Sequence, residues 1–207
     1  VVMIKESRSD VVELKMSGEV TAAPSEVEGE ESAEEDEESR ERFCMLGEIE
    51  RRKNSYGKIA YDKNLTLEQV CNDFRDYAAS RLKLYYDISD IRRFIAGMAV
   101  SHIIILQGMS GTGKTSLAHA FGSFIDNVST IIPVQPMWKE RTDLVGYYNE
   151  FTKKFNETLL LEKMYEANYS ENMYVTVLDE MNIARVEYYF AEFLSLIELP
   201  NPDERYI

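Results

Sequence analysis

Gly108-Met109-Ser110-Gly111-Thr112-Gly113-Lys114-Thr115 is the stretch on which the reading of this chain turns. It matches the spacing G-x-x-x-x-G-K-[ST], in which backbone N–H groups of a loop turn inward to hold an anion. Glycine at 108, 111 and 113 permits backbone conformations that a side chain forbids. Lys114 brings a mobile positive charge to the β and γ phosphates of a nucleotide, and Thr115 offers a hydroxyl to Mg²⁺. The helix that follows presents its positive end to the same anion. The predicted nucleotide-binding set is Gly108, Met109, Ser110, Gly111, Thr112, Gly113, Lys114 and Thr115, with Ser116 beside them. Upstream, residues 102–107 form a short apolar run of the kind a buried strand shows. Downstream, Leu117, Ala118, Phe121, Phe124 and Ile125 recur at helical spacing. A glycine-rich turn without a ligand is the competing reading, and it leaves the strand, loop, helix order unexplained.

A second apolar, β-branched run, residues 173–178, ends in Asp179-Glu180. An acid at the carboxyl end of a strand beside a phosphate loop holds Mg²⁺, usually through water, which assigns Asp179 to the metal together with Thr115. Glu180 is then placed to orient or activate the attacking water, so Glu180 and Lys114 are the expected catalytic residues. Alone, an Asp-Glu pair after a strand is more often a solvated helix start; the phosphate loop gives it meaning.

The chain has 207 residues, 44% of them hydrophobic, enough for one domain with a core. Its net charge of -14 is uneven: residues 26–42 hold ten acids and two bases, more than half of the total. Such a tract repels itself and has little to bury, so residues 17–42 are expected to be a disordered acidic linker. Residues 1–16 read as the tail of an upstream region, 43–100 as a mainly helical lead-in, and 101–207 as the N-terminal part of the nucleotide domain. The longest apolar run, 103–106, falls far below the roughly 18 residues of a membrane span. Cys44, Cys71, His102 and His119 lack metal-site spacing, and the cysteine usage fits a reduced, cytoplasmic setting. A basic patch for nucleic acid is not apparent.

Thr66-Leu67-Glu68-Gln69 reads as a capping box with Leu65 and Val70 as its staple, opening a helix that buries Val70, Phe74, Tyr77, Ala78, Leu82 and Tyr85. A second helix is predicted from Asp90 to Val100 over Ile91, Phe94, Ile95 and Met98. Both read as scaffold. Residues 130–135 look like a strand that Pro133 confines to an edge or to an irregular course. Asn156 or Thr158 starts a helix reaching about Ala167. Val186, Tyr189, Phe190, Phe193, Leu194 and Ile197 make an amphipathic stripe that Pro200 and Pro202 end.

The run Val177-Leu178-Asp179-Glu180-Met181-Asn182-Ile183-Ala184-Arg185-Val186 and the helix after it resemble the corresponding segment of AAA+ ATPases of the McrB type. Gln135 to Trp138 and Thr142 to Asn149 are similar to the same group and to its dynein-related and midasin-like cousins. The resemblance covers roughly residues 88–199. It implies an α/β P-loop NTPase fold, a three-layer sandwich with a parallel sheet, here incomplete at the C-terminus and preceded by helices and the acidic linker. It implies one further strand between the two motif strands, so that the core is expected to be incomplete here unless those strands close up or the gap is left open. It also implies ATP, with GTP possible, and Mg²⁺ as cofactors. The implied assembly is a homo-oligomeric ring, a hexamer in the full-length protein, with a nuclease or effector subunit and with DNA reached through other regions. Asn182 and Arg185 match positions near the active site. Trp138, Tyr147 and Tyr148 match loops facing the pore of the ring, with packing as their first reading. The sensor, arginine finger and helical lid of the family would lie beyond Ile207, so the chain is expected to bind nucleotide and turn it over poorly.

Hydrolysis by a ring-forming subunit that drives DNA translocation or remodelling in a restriction or defence complex is the leading functional reading. A nucleotide-gated assembly module with little turnover is the alternative. Phosphoryl transfer to a small acceptor does not account for Asp179-Glu180.

Overall fold

The computed structural model describes residues 2–6, 42–57, 62 and 64–199, the first segment by its backbone alone. The acidic tract up to Glu41, the apolar positions Val11, Val12, Leu14 and Met16, and the helix-ending Pro200 and Pro202 lie outside those residues. Strands β1 (Val2–Glu6), β2 (Ile103–Ile105) and β3 (Thr130–Pro133) join the main sheet, and β4 (Gly146–Asn149) with β5 (Lys154–Glu157) forms a separate hairpin. Strand β6 (Tyr174–Asp179) completes the main sheet, whose order is β2-β1-β6-β3. The helices are α1 (Cys44–Arg52), α2 (Leu67–Leu82), α3 (Ile88–Val100), α4 (Lys114–Phe124), α5 (Arg141–Val145), α6 (Leu159–Ala167), α7 (Val186–Tyr189) and α8 (Ala191–Ile197).

β3 runs parallel to β6 at the sheet edge, with Ile131 opposite Val177 and Ile132 opposite Leu178. Pro133, which has no N–H to give, sits at the last pair of this edge strand, as the sequence predicts. The expected gap or closure between the motif strands is corrected. β1 lies between β2 and β6 and antiparallel to both, Val2 facing Ile105 on one side and Leu178 on the other. The sheet is therefore mixed, with β3 and β6 its parallel pair. The physical demand is that backbone N–H and C=O groups of an inner strand find partners on both edges, and a strand of either polarity satisfies it.

Side chains of β6 alternate between two layers, the period of two that a strand imposes. Val175 and Val177 join a cluster with Phe74, Ala78, Ile91, Phe94, Leu117 and Phe121, supplied by α2, α3 and α4. Leu178 joins the opposite cluster, with Val134, Leu144, Leu160, Tyr189, Phe190 and Phe193. Ile104 and Ile131 pack on the first cluster, Ile103 and Ile132 on the second, which makes the three-layer arrangement explicit. The first cluster is rich in phenylalanine: Phe74 and Phe94 each meet Phe121 edge-on, at 5.3 and 5.5 Å. Such pairs add about 0.5–1.5 kcal/mol each beyond their buried area.

The helix starts follow their sequence signals. Thr66 and Gln69 form the predicted reciprocal capping box on α2, and Thr158 caps α6. Asp87 caps α3, accepting from the Ser89 N–H, so that helix begins at Ile88 rather than Asp90. Two expectations are corrected. Lys83 takes a left-handed conformation that stops α2, so Tyr85 lies beyond the helix and is 81% exposed instead of sharing its buried face. The stripe after Glu180 is two short helices meeting at Phe190, with Tyr189, Phe190 and Phe193 buried and Leu194 exposed. Helix α1 docks through Leu46 and Ile49 against Leu161. Its first turn is capped from a distance by the Glu157 carboxylate, which accepts from the Met45 and Leu46 N–H groups at 2.7 and 2.8 Å.

Candidate functional site

The phosphate-loop segment leaves β2 and enters α4 without a break. Gly111 and Gly113 both take positive φ, 77° and 85°, where a side chain is strained, and Gly113 is the residue from which α4 starts. Lys114 Nζ donates to the carbonyls of Gly108 and Met109 at 3.0 and 2.7 Å, so its ammonium is held over the loop rather than extended into solvent. The Thr112 hydroxyl donates to Met109 O at 2.9 Å and closes the loop on itself. Gly108, Met109, Ser110, Gly111 and Thr112 are exposed, while Gly113, Lys114, Thr115 and Ser116 are partly buried where the loop becomes helix.

Thr115 and Asp179, predicted from separate motifs to share a metal, meet in space: the Thr115 hydroxyl donates to Asp179 Oδ1 at 3.0 Å. The same oxygen accepts the N–H of Glu180 at 3.1 Å. Asp179 is partly buried at the end of β6, and Glu180 is exposed. Glu180 also takes a left-handed backbone, φ 54° and ψ 41°, at a cost of about 1–2 kcal/mol for a residue with a side chain. This turn swings the chain out of the sheet within one residue of Asp179. Among the described residues no group of three or more His, Cys, Asp or Glu side chains could hold a metal by itself. One hydroxyl beside one carboxylate fits Mg²⁺, which is held by one or two carboxylates and completes its shell with water and phosphate oxygens.

Asn182 and Arg185 lie beyond that turn, on a cavity of about 610 Å³ that Trp138, Lys139 and Tyr188 also line. Arg185 Nη1 donates to the Tyr188 hydroxyl at 3.2 Å, and its guanidinium lies 5.7 Å from the Tyr188 ring centre. Trp138 is half-buried and edge-on to Tyr189 at 5.4 Å, so it packs; burial pushes the Tyr189 hydroxyl up to about 12. Tyr147 and Tyr148 stand on β4 at 49% and 40% exposure, and Phe151 at the hairpin turn is 98% exposed. That turn is closed by Asn149, whose Oδ1 accepts the N–H of Phe151 and Thr152.

Sequence reading missed Tyr86. It sits between α2 and α3, and its hydroxyl donates to Gly113 O at 3.3 Å, directly beneath the phosphate loop. Periodicity carries no signal for it, since it belongs to neither helix.

Residues 103–201 match the family model described as an AAA domain of the dynein-related subfamily. The match supports an AAA+ ATPase, and with the three layers and the loop geometry it fits an α/β P-loop NTPase fold. Neither a curated protein nor a solved structure gives a significant match to the chain. Among the described residues no helix is long and apolar enough to cross a membrane.

Proposed function

We propose that this chain binds ATP with Mg²⁺ and hydrolyses it as a ring-forming AAA+ subunit of the McrB-like kind. The observation that carries this is the 3.0 Å hydrogen bond from Thr115 to Asp179, which joins two motifs 64 residues apart at the end of the phosphate loop. Residues 108–115 bind the phosphates, with Lys114 as the charge that meets them. Thr115 and Asp179 hold Mg²⁺, and Glu180 orients the water. Mg²⁺ supplies neutralisation of the charge that develops on the transferred phosphoryl group. GTP is the other candidate nucleotide. The resemblance of residues 177–198 supports the McrB-like reading and, with it, hydrolysis coupled to DNA translocation or remodelling through a nuclease or effector subunit in the cytoplasm. The exposed aromatics of the β4–β5 hairpin fit a chain that contacts something beyond its nucleotide.

Titration calorimetry of the purified chain with Mg-ATP and Mg-GTP tests the reading. One nucleotide binds, and Lys114→Ala abolishes binding. Glu180→Gln keeps the affinity and lowers any hydrolysis by about 10²-fold or more, the usual worth of a positioned general base. Absence of binding to both nucleotides, or unchanged binding in Lys114→Ala, overturns it. Hydrolysis unaffected in Glu180→Gln removes Glu180 from its role.

A further inference from the structure

The geometry points to Tyr86 as a positioning residue for the phosphate loop, which makes the helical lead-in part of the site rather than a scaffold beside it. The inference rests on the nucleotide reading above and adds a residue that neither motif contains.

Gly113 is where the loop becomes helix, and its carbonyl has two donors. One is the Leu117 N–H, at 2.8 Å, in the first turn of α4. The other is the Tyr86 hydroxyl, at 3.3 Å. The peptide between Gly113 and Lys114 is planar and trans, so its N–H points opposite to its carbonyl. Holding the Gly113 carbonyl therefore sets the direction of the Lys114 N–H, one of the first donors of α4 that have no partner within the helix. At φ 85° and ψ 18°, Gly113 is the position where this peptide plane has most freedom to turn. The Tyr86 ring also stands beside this residue: a Cβ on Gly113 would lie 3.4 Å from Tyr86 Cε1, an ordinary van der Waals contact.

Tyr86 is itself held. The Leu84 N–H donates to Ala78 O at 3.0 Å where α2 ends, and Asp87 accepts from the Ser89 N–H at 2.7 Å where α3 begins. The segment between the two helices is thus pinned on both sides of Tyr86. The ring packs against the phenylalanine-rich cluster, and burial raises the hydroxyl above its ordinary range, which keeps it protonated and a donor.

The molecule contains its own control. Tyr77, on α2, donates its hydroxyl to Ser123 O, also at 3.3 Å, in the last turn of the same helix α4. Tyr86→Phe and Tyr77→Phe each remove one hydroxyl of the same kind from the same group of packed helices, at opposite ends of α4. If Tyr86 only glues the lead-in helices to α4, the two variants behave alike.

Melting temperature, Mg-ATP affinity, and amide exchange of residues 109–115 without nucleotide are measured for both variants. Both lower the melting temperature to a similar extent. Tyr86→Phe weakens Mg-ATP binding about five-fold, the worth of one net hydrogen bond spent on keeping the loop competent. It also speeds exchange in the loop, while Tyr77→Phe leaves both within two-fold of the parent. Equal affinity and equal exchange in Tyr86→Phe, or the same losses in Tyr77→Phe, overturn the inference. A parent chain that binds no nucleotide defeats the preceding functional reading instead, and the nucleotide-free exchange then decides for or against Tyr86.

Discussion

The two sides of the candidate site are built differently. On the phosphate side, Lys114 and Thr115 open an eleven-residue helix whose inner face enters the phenylalanine cluster, and Tyr86 braces the loop from below. On the acid side, Asp179 ends a buried strand, but Glu180 is exposed and turns left-handed into a single 3-10 turn. Two helices of four and seven residues follow. Helices that short hold their shape only through packing. Groups expected to bind thus stand on long elements that share the main core, and the group expected to activate water stands on short ones bordering a cavity. Binding and hydrolysis should therefore respond to different substitutions.

The largest test removes the seat of the phosphate helix. Phe74 is 0% exposed and touches Phe94, Phe121 and Phe124. Phe74→Ala is expected to cost about 3–5 kcal/mol in denaturant unfolding, the usual range for an emptied aromatic site. Nucleotide affinity should fall with it. Phe193→Ala on the opposite layer, where the side chain is 3% exposed, should destabilise comparably yet leave affinity within two-fold. Equal losses of affinity in the two variants would break the comparison.

A smaller effect isolates the loop. Nothing lies within 4 Å of a Cβ added to Gly111, so the cost of Gly111→Ala comes from its φ of 77° alone. That conformation costs about 1–2 kcal/mol once a side chain is present. Calorimetry should show Mg-ATP affinity falling about ten-fold if the whole penalty is felt in the bound loop. Unchanged affinity would mean that nucleotide does not require this conformation. The smallest effect lies farthest from the site: Thr66→Ala loses the capping box of α2, about 1 kcal/mol by thermal unfolding, with affinity unchanged.

Much of this was legible in the chain because the signals are local. The capping box at Thr66, the buried stripe of α3, the restriction that Pro133 puts on its strand and the glycine spacing of the loop each depend on a few neighbouring residues. The misses share a cause. Tyr85 fits the spacing of the α2 stripe, and only the left-handed Lys83 removes it from that face. The stripe after Glu180 has helical period, yet the chain breaks it at Phe190 to bury Tyr189 and Phe190 together. β1 is five residues long, and nothing in so short a strand names partners about a hundred residues or more away.

What the sequence alone determined is which groups could gather at a phosphate: three glycines, a lysine and a threonine at fixed spacing, and an acid pair after an apolar run. Those follow from backbone geometry within a loop and a strand. Only the tertiary structure decided that Thr115 meets Asp179 across 64 residues, that β1 separates β2 from β6, and that Tyr86 reaches Gly113 from outside both motifs. The reason is physical: spacing sets what a segment can offer, while the pairing of strands and the burial of faces set which segments come within a hydrogen bond of one another.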